Sequence, residues 1–179
     1  MSRSYGKDKE IYEKKKEFSE IYDRYADSIY RYSFYRVYSA DIAEDITQET
    51  FTKTWKYMKQ GRTVREMRPF LYRVAKNLII DLYRKKKFTD RRSLEEILSS
   101  KKAAKLSYRQ EELFENNDLA RRVFEIMQKL PRIYQDVLVM RYVENMKLKE
   151  IAEACNTTVK NISARNRRAI QKLEVIIRR

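Results

Sequence analysis

Histidine is absent from this 179-residue chain, which has one cysteine, two glycines, two prolines and one tryptophan. Each shortage excludes something. Without histidine the chain lacks the commonest general base, the usual partner of a Ser or Cys nucleophile, and the commonest metal ligand. A lone Cys155 can form neither an internal disulfide nor a cysteine-based metal cage. There is also no Walker-type loop, no GxGxxG and no carboxylate cluster with metal-loop spacing. Catalysis, a metal site and a cofactor are therefore not expected. So few glycines and prolines point away from strands and tight turns, toward helices joined by polar linkers. No run approaches the roughly 18 apolar residues that a membrane span needs. The opening "MSRSYGKDKE" lacks the apolar core of a secretory signal. The expected location is the cytoplasm, with no membrane insertion.

What the chain has in quantity is positive charge. Forty-one Lys and Arg face 26 Asp and Glu, a net +15. Nucleic acid is the first partner to consider and an anionic membrane surface the second. Phe18, Ile21, Tyr22, Tyr25, Ile29, Tyr32 and Phe34 recur largely at three- and four-residue spacing, which predicts an amphipathic helix over 18–36. Ser39 is a candidate N-cap for a second helix running to Met58. After a loop around Gly61, a third opens at Arg68-Pro69, with proline at the first helical position, and runs to Lys87. The stretch 88–118 mixes charge with scattered apolar residues and reads as a linker with a weak helical segment at Leu94–Leu98. From Leu119 helical periodicity returns: Leu119, Val123, Ile126, Met127 and Leu130 share one face, Pro131 stops that helix, "RIYQDVLVMRYVEN" forms another, and two more follow. The expected fold is all-α: two small helical domains, 1–88 and 119–179, joined by a flexible linker over 89–118.

Three local signals carry function. The first is "VYSADIAEDITQETFT", Val37 to Thr52, which holds Asp41, Glu44, Asp45 and Glu49 and no cation. At about 3.6 residues per turn, Asp45, Gln48, Glu49, Thr52 and Lys56 fall on one side. Ala43, Phe51 and Met58 fall opposite, with Ile46 and Trp55 on the borders. The bland alternative is a solvated acidic face stabilised by the helix dipole. The second signal is residues 53–87, where twelve Lys and Arg meet only Glu66 and Asp81, with Trp55, Tyr57, Phe70, Tyr72 and Tyr83 interleaved. Cations along a phosphate backbone and rings for unpaired bases make a single-strand surface. The alternative is core aromatics with solubilising cations, and Phe70, Val74 and Leu78 are expected in the core. The third is "LKEIAEACNTTVKNI". Ala152, Asn156 and Ile162 have helix-turn-helix spacing: a small residue where helices cross, one that tolerates a left-handed turn, and an apolar anchor. The helix after the turn carries Lys160, Arg165, Arg167, Arg168 and Lys172, as a helix laid in a major groove would. Val159, Ile162, Ala169, Leu173 and Asn166 are expected to turn inward.

In this order, the three signals resemble an extracytoplasmic-function sigma factor of bacterial RNA polymerase, of the sigma-70 family. "EDITQETFTKTW" matches the D-x-x-Q-E-x-F-x-x-x-W pattern of region 2, and "RPFLYRVAKNLIIDLYRKK" is similar to the helix after it. "LPRIYQDVLVMRYVENMKLKEIAEACNTTVKNISARNRRAIQKL" resembles region 4. Asn156, Ser163 and Asn166 stand where the family usually has Gly, Lys and Leu.

The resemblance implies a dissociable polymerase subunit that directs promoter recognition and is not an enzyme. Asp45, Gln48, Glu49, Phe51 and Trp55 would bind the clamp helices of the largest subunit, and region 4 would touch the flap. Gln60, Arg62, Thr63, Arg65, Arg73, Lys76, Asn77, Arg84 and Lys85 would bind the −10 element and its melted strand. Thr158, Lys160, Asn161, Ala164, Arg165 and Arg168 would bind the −35 element. An anti-sigma factor is a further candidate partner. Two rivals explain less. A conventional helix-turn-helix repressor or activator leaves the acidic stripe and the basic–aromatic segment unused. A tyrosine strand-transferase lacks the histidine of its usual Arg/His cluster.

Overall fold

The computed structural model describes residues 2–88, 122 and 125–178 and is helical, with no strand among them. The linker, its expected segment Leu94–Leu98, and Leu119 and Val123 lie outside the described residues. Helix α1 spans Ser2–Val37, longer than the apolar periodicity required. Its buried stripe is Ile29, Tyr32, Ser33 and Arg36, the spacing of three and four that puts residues on one helical face. Tyr38 breaks the helix at φ 57, a conformation uncommon for a bulky residue.

Helix α2 spans Ala40–Lys59. Ser39 caps it with extended dihedrals, its hydroxyl accepting from the Ile42 N–H at 3.4 Å. Ser39→Ala is expected to lower stability by about 1 kcal/mol, read as a lower urea midpoint at unchanged slope. The buried side of α2 carries Ala43, Ile46, Phe51 and Met58 together with Thr47, Thr50 and Thr54. Each threonine hydroxyl donates to the carbonyl four residues back, at 2.7–2.8 Å, so these buried hydroxyls are satisfied inside their own helix. Gly61 ends the segment at φ 77, where a side chain would be strained although no atom crowds it.

Helix α3 spans Met67–Phe88. It begins two residues before Pro69, which sits within the first turn rather than at the first helical position. Its deepest stripe is Leu71, Ala75 and Ile79, flanked by Tyr72. Phe70, Val74 and Leu78, expected in the core, are half-buried at its edge.

Residues 125–128 form a helical turn that buries Met127 and Leu130. Pro131 then serves as the N-cap of helix α4, Arg132–Leu138. The single helix expected from Arg132 to Asn145 does not persist. Val139–Val143 widens into a π turn, with Glu144 N–H bonding Val139 O at 3.0 Å and Met146 N–H bonding Met140 O at 2.9 Å. Asn145 leaves it at φ 53. Helices α5 (Leu148–Ala154) and α6 (Val159–Ile177) follow.

The two helical units do not stand apart. One apolar cluster runs from Ile29, Tyr32, Leu71 and Ile79 into Met140, Ile151, Ala154 and Ile162, with α3 packed on α5 and α1 against the π turn.

Candidate nucleic-acid interface

Helix α2 has the two sides that its spacing predicts. Asp45, Gln48, Glu49, Thr52 and Lys56 are exposed. Glu49 meets Lys53 at 3.8 Å, a surface pair of small energetic weight. Trp55 is half-buried, its ring 5.2 Å from that of Phe18. Phe51 needs correcting as a partner contact. It is 3% exposed and packed between Phe18 and Tyr22, so it supports the stripe from beneath and has no face to offer.

Beyond α2 the cations gather. Gln60, Arg62, Thr63 and Arg65 are exposed on the loop; Arg73, Asn77, Arg84 and Lys85 are exposed on α3, and Lys76 is half-covered. Two guanidiniums lie against rings, Arg62 at 5.2 Å from the Tyr57 centroid and Arg73 at 5.5 Å from Phe70. These contacts hold side chains whose freedom would otherwise be costly to restrict. Tyr72 is withdrawn from the surface altogether.

The helix-turn-helix is built as its spacing requires. Ala152 is buried where α5 and α6 cross, Asn156 takes φ 49, and Ile162 is fully buried. Thr158 caps α6, accepting from the Asn161 N–H at 3.2 Å. Lys160, Asn161 and Arg168 are exposed; Ala164 and Arg165 are half-covered. Val159, expected inward, is 45% exposed. Asn166 turns inward and donates to the Tyr142 hydroxyl at 3.2 Å.

Sequence reading missed the polar residues that join the units. Arg36 is buried and donates through Nε to Asp136 Oδ1 at 2.6 Å, and Tyr32 donates to the same oxygen at 2.7 Å. Gln135, also bonded to Arg36, ties this knot to the Met127 and Leu130 carbonyls. A second knot surrounds Glu144, 3% exposed. Its carboxylate accepts from Arg31 Nε and Nη2 at 3.1 Å each and from the Tyr72 hydroxyl at 2.9 Å. Arg68 donates to the Glu144 carbonyl and meets Glu150 at 3.7 Å. Burial opposes the Arg36 charge, but the field of the Asp136 carboxylate and the hydrogen bond to it help raise its pKa. Burial also pushes the Tyr32 and Tyr72 phenols up, and the carboxylates they meet add to it. Both phenols therefore stay protonated and serve as donors.

Two cavities lie along this junction. One, of about 420 Å³, sets Thr63, Arg65 and Arg73 opposite Asn156 and Thr157. The other, of about 640 Å³, is lined by Lys76 and Arg84 from α3 and by Arg132 and Arg165 from the C-terminal unit. No group of His, Cys, Asp and Glu among the described residues could hold a metal ion. No described helix is long and apolar enough to cross a membrane.

The comparisons agree with this architecture. Residues 21–89 match the family model for Sigma-70 region 2, and residues 120–173 that for Sigma-70 region 4. The chain is 31% identical over 163 residues to the ECF RNA polymerase sigma factor SigW of Bacillus subtilis, covering 87% of each. It is 27% identical over 162 residues to SigM of the same organism, covering 89% of this chain and 94% of SigM. In fold it is similar to RpoE of Bartonella quintana, solved with the anti-sigma factor NepR (TM-score 0.68, 14% identity, 91% and 98% coverage). It is similar also to CnrH, solved with the cytosolic domain of CnrY (TM-score 0.66, 20% identity, 91% and 88% coverage). With region 2 and region 4 in sequence order, and a helix-turn-helix in the second, the chain belongs to the extracytoplasmic-function sigma factors, which direct RNA polymerase to specific promoters.

Proposed function

We propose a division of labour among three surfaces. Asp45, Gln48 and Glu49 dock on basic groups of the polymerase clamp, where carboxylates make charge-assisted hydrogen bonds, and Trp55 borders that contact. The loop Gln60–Arg65 and the exposed face of α3, with Arg73, Lys76, Asn77, Arg84 and Lys85, hold the −10 element and its melted strand. The first turns of α6 read the −35 element. The separation of charge carries this reading: the cation-free run Val37–Thr52, whose Asp45, Gln48 and Glu49 are exposed, is followed by residues 53–87 with twelve cations and two acids. The acidic stripe would repel DNA and the cationic segment would repel a basic clamp, so each surface selects its own partner. On this reading the chain binds and positions and catalyses nothing itself, and it works where the polymerase works, in the cytoplasm. An anti-sigma factor, as in the RpoE–NepR complex, is a partner of the same class for this chain.

The test is run-off transcription with core polymerase on a randomised promoter library, comparing two variants of α6. On this reading Arg165 bonds a guanine bidentately, whereas the exposed Arg168 contacts a phosphate. Arg165→Ala is expected to cost about 1–3 kcal/mol and relax preference at one −35 position. Arg168→Ala is expected to weaken binding evenly across sequences and to lower the salt slope by about one unit. Uniform loss in both would assign α6 to shape reading instead.

A further inference from the structure

We propose that the larger cavity at the seam between the two units is a binding site for a small diphosphate ester with an aliphatic body. The site rests on the cavity and its lining, and stands whether or not the same cations also meet DNA.

Four cations converge there from three helices: Lys76 and Arg84 of α3, Arg132 of α4 and Arg165 of α6. Two other charged groups in the lining, Arg36 and Asp136, engage each other, and Asp136 Oδ1 also accepts from Tyr32. Beyond that pair the lining holds no acid. Arg84 has Asp81 beside it at 3.2 Å, an exposed pair of small energetic weight. Lys76, Arg132 and Arg165 have no ion-pair partner among the described residues. A cleft lined by one sign of charge concentrates counter-ions, and nothing in the chain itself answers these four.

One of the four is already positioned. The Arg132 guanidinium carbon lies 3.2 Å from the centroid of the Tyr83 ring. The Tyr83 hydroxyl in turn donates to the Arg36 carbonyl at 2.7 Å. Stacking fixes the guanidinium plane and leaves its N–H edges to an anion. That planar fork suits phosphate oxygens bidentately, and holding it beforehand lowers the ordering cost of binding.

Charge sets the head of the ligand and the floor sets its body. A diphosphate, with several negative charges on one small group, answers four cations better than a lone carboxylate does. Ile79, Ile80 and Ile133 line the rest of the cavity, and Ile80 and Ile133 are 49% and 45% exposed. The one ring in the lining, Tyr83, has Arg132 over its face, so an aliphatic chain is favoured over a nucleobase. The volume of about 640 Å³ falls within the range of small-molecule sites, which join apolar walls to a few placed polar groups. An occupied cavity draws Lys76, Arg84 and Arg165 to the ligand. On the reading proposed above those three also serve DNA, so the ligand competes with the promoter.

The test uses the full chain. Cys155 lines the same cavity and is the one cysteine of the sequence, so its alkylation by N-ethylmaleimide reports occupancy. Pyrophosphate, ADP, geranyl diphosphate and a short single-stranded oligonucleotide are titrated in, with mass spectrometry reading the label and calorimetry the affinity. Geranyl diphosphate is expected to protect Cys155 at the lowest concentration, with ADP no better than pyrophosphate. Arg132→Gln changes an exposed residue outside the polymerase and DNA surfaces. It is expected to weaken geranyl diphosphate about tenfold and to leave −35 duplex binding unchanged. Ile133→Ser should bring geranyl diphosphate down to the affinity of pyrophosphate. Lys149→Gln removes one exposed charge outside the cavity and should leave protection unchanged; circular dichroism checks the helicity of all three. Absence of protection by any diphosphate overturns the proposal. Equal loss in Arg132→Gln and Lys149→Gln overturns it too, by showing diffuse attraction to a basic chain. Protection by the oligonucleotide at lower concentration than geranyl diphosphate gives the cavity to a DNA strand and overturns the small ligand. ADP binding more tightly than geranyl diphosphate overturns the aliphatic body. Failure of the DNA assignment shows instead in the run-off selection with Arg165→Ala and leaves the Cys155 footprint as it is.

Discussion

An Arg36→Ala variant is expected to unfold in two thermal steps where the parent unfolds in one. The parent has one apolar cluster spanning both units, and a shared core gives a single cooperative transition. Arg36 is 2% exposed, and its removal takes from Asp136 its guanidinium partner and from Gln135 a hydrogen bond. Breaking a buried pair by deleting one partner costs about 3–5 kcal/mol. The chain has a way to limit that loss, because separating the units returns Asp136 to water. The cost is therefore capped at the docking free energy and appears as uncoupling rather than collapse. Calorimetry with tryptophan fluorescence distinguishes the halves: Trp55 reports the N-terminal unit alone, so its transition and the calorimetric one should cease to coincide. Coincident transitions, with a midpoint change worth less than about 0.5 kcal/mol, would mean that Arg36 contributes nothing to the seam.

Asp45→Lys combined with Glu49→Lys is expected to weaken binding to core polymerase by about a hundred- to a thousandfold. Like-charge juxtaposition across an interface costs several kcal/mol, and each 1.4 kcal/mol or so is tenfold. Folding should be spared. Both side chains are exposed, and the ion pair of Glu49 with Lys53 is a surface contact. Asp41 remains in the first turn of α2 to meet the helix dipole. Competition against parent protein for core polymerase measures the effect, with circular dichroism and −35 duplex binding as internal controls. Undiminished polymerase binding at intact helicity would return the stripe to a merely solvated face.

The features that sequence revealed are local ones. The two sides of α2, the Ser39 cap and the left-handed Asn156 each follow from residues within one or two turns, where periodicity and capping chemistry act. Errors arose where a second element decided the outcome. Phe51 lies on the motif but faces Phe18 and Tyr22 of α1, which no pattern internal to α2 reveals. The buried stripe of α3 is Leu71, Ala75 and Ile79 rather than Phe70, Val74 and Leu78, because α3 packs against α1 on one side and α5 on another. Val159 fits an inward position on the wheel but, as the first residue of α6, is left exposed. The π turn after Leu138 interrupts a run of apolar residues that looks wholly helical; what the break accomplishes is to aim Glu144 at Arg31 and Tyr72. One sign of the seam was in view: Arg36 falls on the same face of α1 as Ile29 and Tyr32. A cation in line with a buried stripe asks for a carboxylate, but one sequence cannot say which of 26 acidic residues answers.

The seam has a consequence for inheritance. Sigma factors with two recognition units invite the view that halves can be traded to mix promoter preferences. Here each half carries the counter-charges of the other: Arg31, Arg36 and Arg68 on one side, Asp136, Glu144 and Glu150 on the other. A recombinant that kept this first half and took a second half lacking acids at 136 and 144 would bury Arg36 opposite nothing and leave Arg31 without its partner. Substitutions at 36 and 136, and at 31 and 144, should accordingly travel together through a lineage, even though the positions that contact the promoter drift independently.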